Sequence, residues 1–262
     1  MMPSMMERPP LIDVLPTRAA ASAHAAQLLV DGVASGTWRT LGLATGGSVV
    51  DIYAGLVEAH QAGKVSFADV TTFNLDEYAG IGPEVPGSFH AFMRRCLFDL
   101  VDVQPGRAFM PDGMAGDLAL EAARFEGQIQ QSGGIDLQLL GIGSNGHIGF
   151  NEPGSDFASR TREVMLTQET RVANAAFFKD NGGVPQSAVT MGIATILEAR
   201  EIMLVAMGAH KAQAIHAAVQ GPVSTDWPAS ALRQHSSVRI ICDEAAASLI
   251  TGPAALHIRR IP

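Results

Sequence analysis

The side chains best suited to chemistry follow the apolar run Leu137 to Ile142, inside the stretch Asp136 to Pro153. That run carries no charge and has strand length, which suits a strand buried on both faces of a parallel sheet. Glycines at 141, 143 and 146 then break it, where the backbone must turn or come close to something. Asn145, His147, Asn151 and Glu152 come directly after the break, and in open α/β sheets ligands bind just past the carboxyl ends of the strands. A carboxylate near an imidazole fixes its tautomer and raises its pKa, which suits proton transfer near neutral pH. Zinc is the competing chemistry, but the spacing matches neither His-Glu-x-x-His nor a cysteine site, so no metal is expected. The plainer alternative is a glycine-rich turn with an ordinary capping histidine.

Three other segments carry chemical potential. Thr45-Gly46-Gly47-Ser48 follows a strand candidate and opens a helix, an arrangement that presents backbone N–H groups to an anion. It lacks the Walker ending and the three-glycine dinucleotide fingerprint, so a plain turn is an equal reading. Asp76-Glu77 ends a β-rich run. Adjacent residues on an extended chain face opposite ways, so only one can enter a shared pocket, there to act as a general base; a solvated acidic turn is the alternative. Lys211 follows a late strand, within reach of a phosphate if the helix start faces the same crevice.

The positioning elements alternate. Strands are expected at Leu11–Leu15, Thr40–Ala44, Val70–Asn74, Leu137–Ile142, Glu201–Val205 and Val238–Cys242. Helices are expected over Thr17–Val33 with a threonine cap, from about Ile52 to a stop at Gly63, and over Ser88–Val101 and Asp117–Gln131. Further helices are expected over Ser187–Leu197, Ala209–Val219 and Glu244–Ile250. The pattern implies a single-domain α/β fold over 1–262, Rossmann-like, with an open, mostly parallel sheet and helices on both faces. The polar segment from about Arg160 to Pro185 follows the catalytic turn and reads as a mobile lid. With 47% hydrophobic residues the chain can fill one large core, and a net charge of -8 argues against a nucleic-acid partner. No signal peptide or membrane-length apolar stretch is seen, and the two cysteines, far apart, fit a reducing compartment. A cytoplasmic enzyme is the expectation.

In this order, these segments resemble the glucosamine-6-phosphate deaminase family. The resemblance runs through Leu43-Ala-Thr-Gly-Gly-Ser48, Thr72-Phe-Asn-Leu-Asp-Glu-Tyr78, Gly141-Ile-Gly-Ser-Asn-Gly-His-Ile-Gly-Phe-Asn-Glu-Pro153, Ser159-Arg-Thr-Arg162, Thr170-Arg-Val-Ala-Asn174 and Cys242-Asp-Glu244. It implies conversion of glucosamine 6-phosphate to fructose 6-phosphate and ammonia. Asp76 would shuttle a proton from C2 to C1, His147 would open the sugar ring, and Glu152 and Asn145 would orient and bias the histidine. Thr45, Gly46, Gly47, Ser48, Gly149, Phe150 and Lys211 would hold the amino-sugar phosphate. No metal or organic cofactor is implied, and a homo-oligomer is left open. A galactosamine 6-phosphate enzyme, a hydrolase resembling 6-phosphogluconolactonase and a non-catalytic sugar-phosphate sensor are the alternatives.

Three departures qualify the resemblance. Asn145 stands where some members carry aspartate; it can position a histidine but cannot stabilise an imidazolium by charge. Ala176 stands where members often carry an arginine that closes on the phosphate. A charge-assisted hydrogen bond is worth roughly 1.5–3 kcal/mol, so either Arg171 or Lys179 substitutes or the substrate differs. Val164 and a tail without tyrosine remove two residues of the allosteric members, so allosteric activation is not expected.

Overall fold

The computed structural model describes residues 9–178 and 183–261. Its chain runs β1 (Leu11–Leu15), α1 (Arg18–Ala34), β2 (Thr40–Leu43), α2 (Val50–Gln61), β3 (Thr71–Asn74), β4 (Asp76–Tyr78), α3 (Phe89–Cys96), β5 (Ala108–Phe109) and α4 (Leu118–Gln131). It continues through β6 (Leu137–Leu140), β7 (Arg162–Met165), α5 (Gln168–Asn174), β8 (Ser187–Thr190), α6 (Ile193–Leu197), β9 (Glu201–Ala206), α7 (Ala212–Val219), β10 (Val238–Asp243) and β11 (Ile258–Arg260). Eight strands form one sheet in the order β11-β1-β10-β9-β6-β2-β3-β5, and every pairing in it is parallel. All residues of β2 and β6 are buried, as strands covered on both faces must be.

Local chemistry explains the helices. The Thr17 side chain caps α1 by accepting from the Ala20 N–H, and the Asp117 carboxylate caps α4 from Ala119 and Leu120. Small residues let α1 and α2 meet closely: a Cβ at Gly55 would lie 2.8 Å from that of Ala26. At the sheet edge, Arg259 donates twice to the buried Asp13 carboxylate, which also accepts from Arg239 and faces His24, so β11, β10, α1 and β1 are tied at one point.

A second, three-stranded sheet, β4-β8-β7, is antiparallel and sits beside the 141–152 turn. It corrects several expectations. Asp76-Glu77-Tyr78 is a strand and not a solvated turn, with all three residues buried. Ser187–Leu197 divides at Gly192 into strand β8 and the short α6, because Ala188 to Thr190 pair with both β4 and β7. The 160–185 segment, expected as a lid, holds β7 and α5, and residues 179–182, Lys179 among them, lie outside the described residues. Helix α3 ends at Cys96, short of Val101, and Glu244–Ile250 forms successive turns, not a helix.

Candidate active site

Four neighbouring strands aim their carboxyl ends at one crevice. In sheet order β9, β6, β2 and β3, they lead into Lys211, the 141–152 turn, the 45–48 loop and Asp76. Chain direction of travel reverses between β2 and β6, the kind of switch point at which α/β sheets leave an opening. A cavity of about 560 Å³ lies there, lined by Thr45, Gly46, Gly47, Ser48, Asp76, His147, Gly149, Phe150 and Lys211. All seven residues expected to hold substrate therefore come together, with two of the four catalytic candidates. Glu152 and Asn145 stand behind His147.

The acid–base group is layered. Glu152 Oε2 lies 3.4 Å from His147 Nδ1, longer than a hydrogen bond, so the attraction at this separation is electrostatic. Asn145 Nδ2 donates to the same Oε2 at 2.7 Å, and its Oδ1 accepts the His147 backbone N–H at 3.2 Å. Asn145 thus steers the histidine through the backbone and through Glu152 rather than by touching the ring. Burial would raise the Glu152 carboxyl, but contact with His147 and hydrogen bonds from Thr170 and Asn145 outweigh it and hold the pKa at about 2. The ring also needs room: a Cβ on Gly143 would fall 2.3 Å from Nδ1.

Asp76 and Glu77 do point apart. Asp76 faces the cavity at 5% exposure, and burial, aided by the neighbouring Glu77 charge, pushes its carboxyl well above the usual range. Glu77 turns away, accepts the Tyr78, Phe89 and His90 N–H groups and pairs with His90 Nδ1 at 2.7 Å. Gly149, at φ 56°, leaves space above the base; a Cβ there would sit 3.5 Å from Asp76 Oδ2 and 3.0 Å from Thr190 Oγ1.

The 45–48 loop fits an anion. A Cβ on Gly46 or Gly47 would meet open space, and the start of α2 has no side-chain cap, so its first N–H groups keep their donors. Asp51 in the first turn is bound to Arg18 at 2.9 Å. Lys211 stands at the N-cap of α7; burial lowers its pKa, and among the described residues no carboxylate pairs with it.

Several contributors receive no role from the sequence, although Asn151 is named beside the turn and Thr170 and Asn174 lie in a motif of the resemblance. Thr170, on α5, donates from Oγ1 to Glu152 Oε1 at 2.5 Å, and Asn174, one turn later, lines the cavity. Asn151 is fully buried; its Nδ2 donates to the Ile148 and Met191 carbonyls and its Oδ1 accepts from Arg162, pinning the catalytic turn to the small sheet. Phe89, Phe92, Arg95 and Cys96 form one wall from α3. Their spacing along one helix face was the available signal. Arg171 lies instead beside Ile81 and Val184, away from this cavity.

A larger opening, about 660 Å³, lies at the other end of the strands. Its Glu201 accepts from Trp38 Nε1 and both nitrogens of its His235 meet backbone carbonyls, so these two side chains are already engaged. Among the described residues no three His, Cys, Asp or Glu side chains form a metal cluster, and no helix is long and apolar enough to cross a membrane.

A doubly covered parallel sheet with an anion loop, a buried acid and a histidine–carboxylate pair at its switch point defines an α/β class suited to acid–base chemistry on a phosphorylated substrate. The chain belongs to the family of glucosamine-6-phosphate isomerases and 6-phosphogluconolactonase, which it matches over residues 16–241. It is 52% identical over 239 residues to a glucosamine-6-phosphate deaminase of Rhodopirellula baltica, covering 91% of this chain and 95% of that one. A solved monomeric glucosamine-6-phosphate deaminase is 44% identical with a TM-score of 0.87, over 91% of this chain and 99% of its own. A 6-phosphogluconolactonase from Trypanosoma brucei, at 21% identity and TM-score 0.72 over 92% and 99%, shares the fold.

Proposed function

We propose that the chain is a cytoplasmic glucosamine-6-phosphate deaminase. The observation that carries this is a buried carboxyl, Asp76, sharing one cavity with His147 and an anion-binding loop. His147 delivers a proton to the ring oxygen while the anomeric hydroxyl loses its own, giving the open aldehyde. Asp76, ionised, takes the C2 proton while the substrate ammonium passes one of its protons to O1, so the electron pair forms a neutral enolamine; the same carboxyl returns the proton to C1, leaving an iminium at C2. Water adds to that carbon and ammonia leaves, giving fructose 6-phosphate. These steps are proton transfers and a hydration, so they call for no metal or organic cofactor.

The raised pKa of Asp76 makes it a strong base once ionised, and the substrate ammonium beside C2 favours that ionisation. Glu152 stays charged and steadies His147 as it cycles. The relatives named as deaminases, at about half identity over nearly the whole chain, support this reading over lactone hydrolysis, for which only the fold speaks.

Ammonia release from glucosamine 6-phosphate is the test, with Asp76→Asn as control and galactosamine 6-phosphate and 6-phosphogluconolactone alongside. Turnover of the first sugar, lost in the variant, is expected. Preference for galactosamine 6-phosphate would move the assignment within the class; lactone hydrolysis alone, or binding without turnover, would overturn it.

A further inference from the structure

The cavity is cationic beyond what its reacting groups need. Asp76 is the one carboxylate among its lining residues, whereas Lys211 and Arg95 both line it, and among the described residues neither is paired with an acid. Arg94 and Arg95 end the same helix and behave oppositely. Arg94 turns outward to Glu84 at 3.0 Å and Asp99 at 3.5 Å. Arg95 instead stands over the Phe92 ring, 5.8 Å from its centre, on the face that walls the cavity. An aromatic face under a guanidinium holds it in place without neutralising it, leaving the planar donor edge for an anion.

Its position can be fixed through its neighbour. Cys96 lies close enough to Tyr53 for the two to interact electrostatically, and the Tyr53 hydroxyl donates to the Ala44 carbonyl, one residue before the 45–48 loop. The end of α3 therefore sits at the anion-loop end of the cavity. A phosphate monoester carries about -1.5 to -2 at pH 7, more than one half-buried lysine neutralises.

We propose that Arg95 is the second cationic arm of the phosphate subsite, closing over the monoester seated on the 45–48 loop and Lys211. This rests on the sugar-phosphate reading given above. Arg95 is exposed and lies on the Phe92 ring face rather than in a hydrophobic core, so its removal leaves the fold intact.

The experiment compares wild type, Arg95→Ala, Arg95→Lys and the outward-facing control Arg94→Ala. Arg95→Ala is expected to raise KM about tenfold or more, the equivalent of one charge-assisted hydrogen bond, with kcat held within about twofold. Lysine should restore part of the loss, because it keeps the charge without the fork, and Arg94→Ala should match wild type. Inorganic phosphate, titrated calorimetrically, should lose affinity in parallel for Arg95→Ala. That arm needs no turnover, so it tests Arg95 even if wild type releases no ammonia. Unchanged KM and unchanged phosphate affinity, or an equal loss in Arg94→Ala, would overturn the proposal.

Discussion

At the scale of single residues, the site stores a conflict in Asp76. A carboxyl whose pKa is raised on folding contributes stability below its unfolded pKa and loses it as pH rises through the folded value. At neutral pH, where the unfolded carboxyl is ionised, seating it in this buried place costs stability, and Asp76→Asn should raise Tm at pH 7.5 while abolishing turnover. At pH 3 the gain should vanish, because both proteins are then neutral at that position. A Tm at pH 7.5 equal to or below wild type would show that Asp76 carries no such penalty. Glu152 is the opposite case. Its folded pKa of about 2 lies below the ordinary 4.5, so its contribution is present above the unfolded value and is lost as pH falls toward 2. Removing one donor with Thr170→Val should cost about 1–2 kcal/mol at pH 7 in chemical denaturation. The difference should shrink toward zero by pH 2, and Thr170→Ser should restore it. A loss that persists unchanged at pH 2 would assign the effect to packing instead.

At the scale of elements, what the sequence made legible follows from how each element is stabilised. Strands β2, β6, β9 and β10 are buried runs between turn residues, and their apolar composition alone announces them. Helices α1 and α4 carry their own caps. By contrast, β4 and β7 are strands of three and four residues that exist through pairing with β8, a partner far along the chain, and leave no local period. The stretch from Ser187 to Leu197 misled because its apolar residues also satisfy a helical spacing until Gly192 intervenes. Alanine-rich Glu244–Ile250 has helical propensity and opens with a cap-like bond from the Ala246 N–H to the Asp243 carboxylate, yet it forms successive turns, for which the contacts give no single cause. The same logic applies to function. His147, Glu152 and the glycine loop sit in motifs with internal spacing, whereas Thr170 and Arg95 reach the site from other elements, and only folding brings them there. Helix α5 is of special interest because its Thr170 touches Glu152 while its Asn174 lines the cavity.

At the scale of the whole molecule, the groups that meet in the cavity come from two sheets. His147, Lys211 and the anion loop hang from the eight-stranded sheet; Asp76 belongs to β4 in the smaller one. Strand β7 forms an edge of the smaller sheet with alternating partial exposure, and Met165 and Val172 are largely exposed. We propose that β7 and α5 are the moving part of the lid. Hydrogen exchange should find their amides less protected than those of β6, β9 and β10, and slowed when a sugar phosphate is added. Equal protection in all of these strands, with or without the ligand, would sink the lid.

The α3 wall has a practical consequence. Cys96 lines the cavity and is partly accessible, whereas Cys242 is fully buried and its thiol is pushed up to about 12 by burial and the nearby acids. The molecule therefore carries a single addressable handle on the wall of this cavity. Iodoacetamide should label Cys96 alone, read by peptide mass spectrometry, and bound sugar phosphate should slow that labelling. A fluorophore attached there would turn the unmodified sequence into an optical sensor of occupancy.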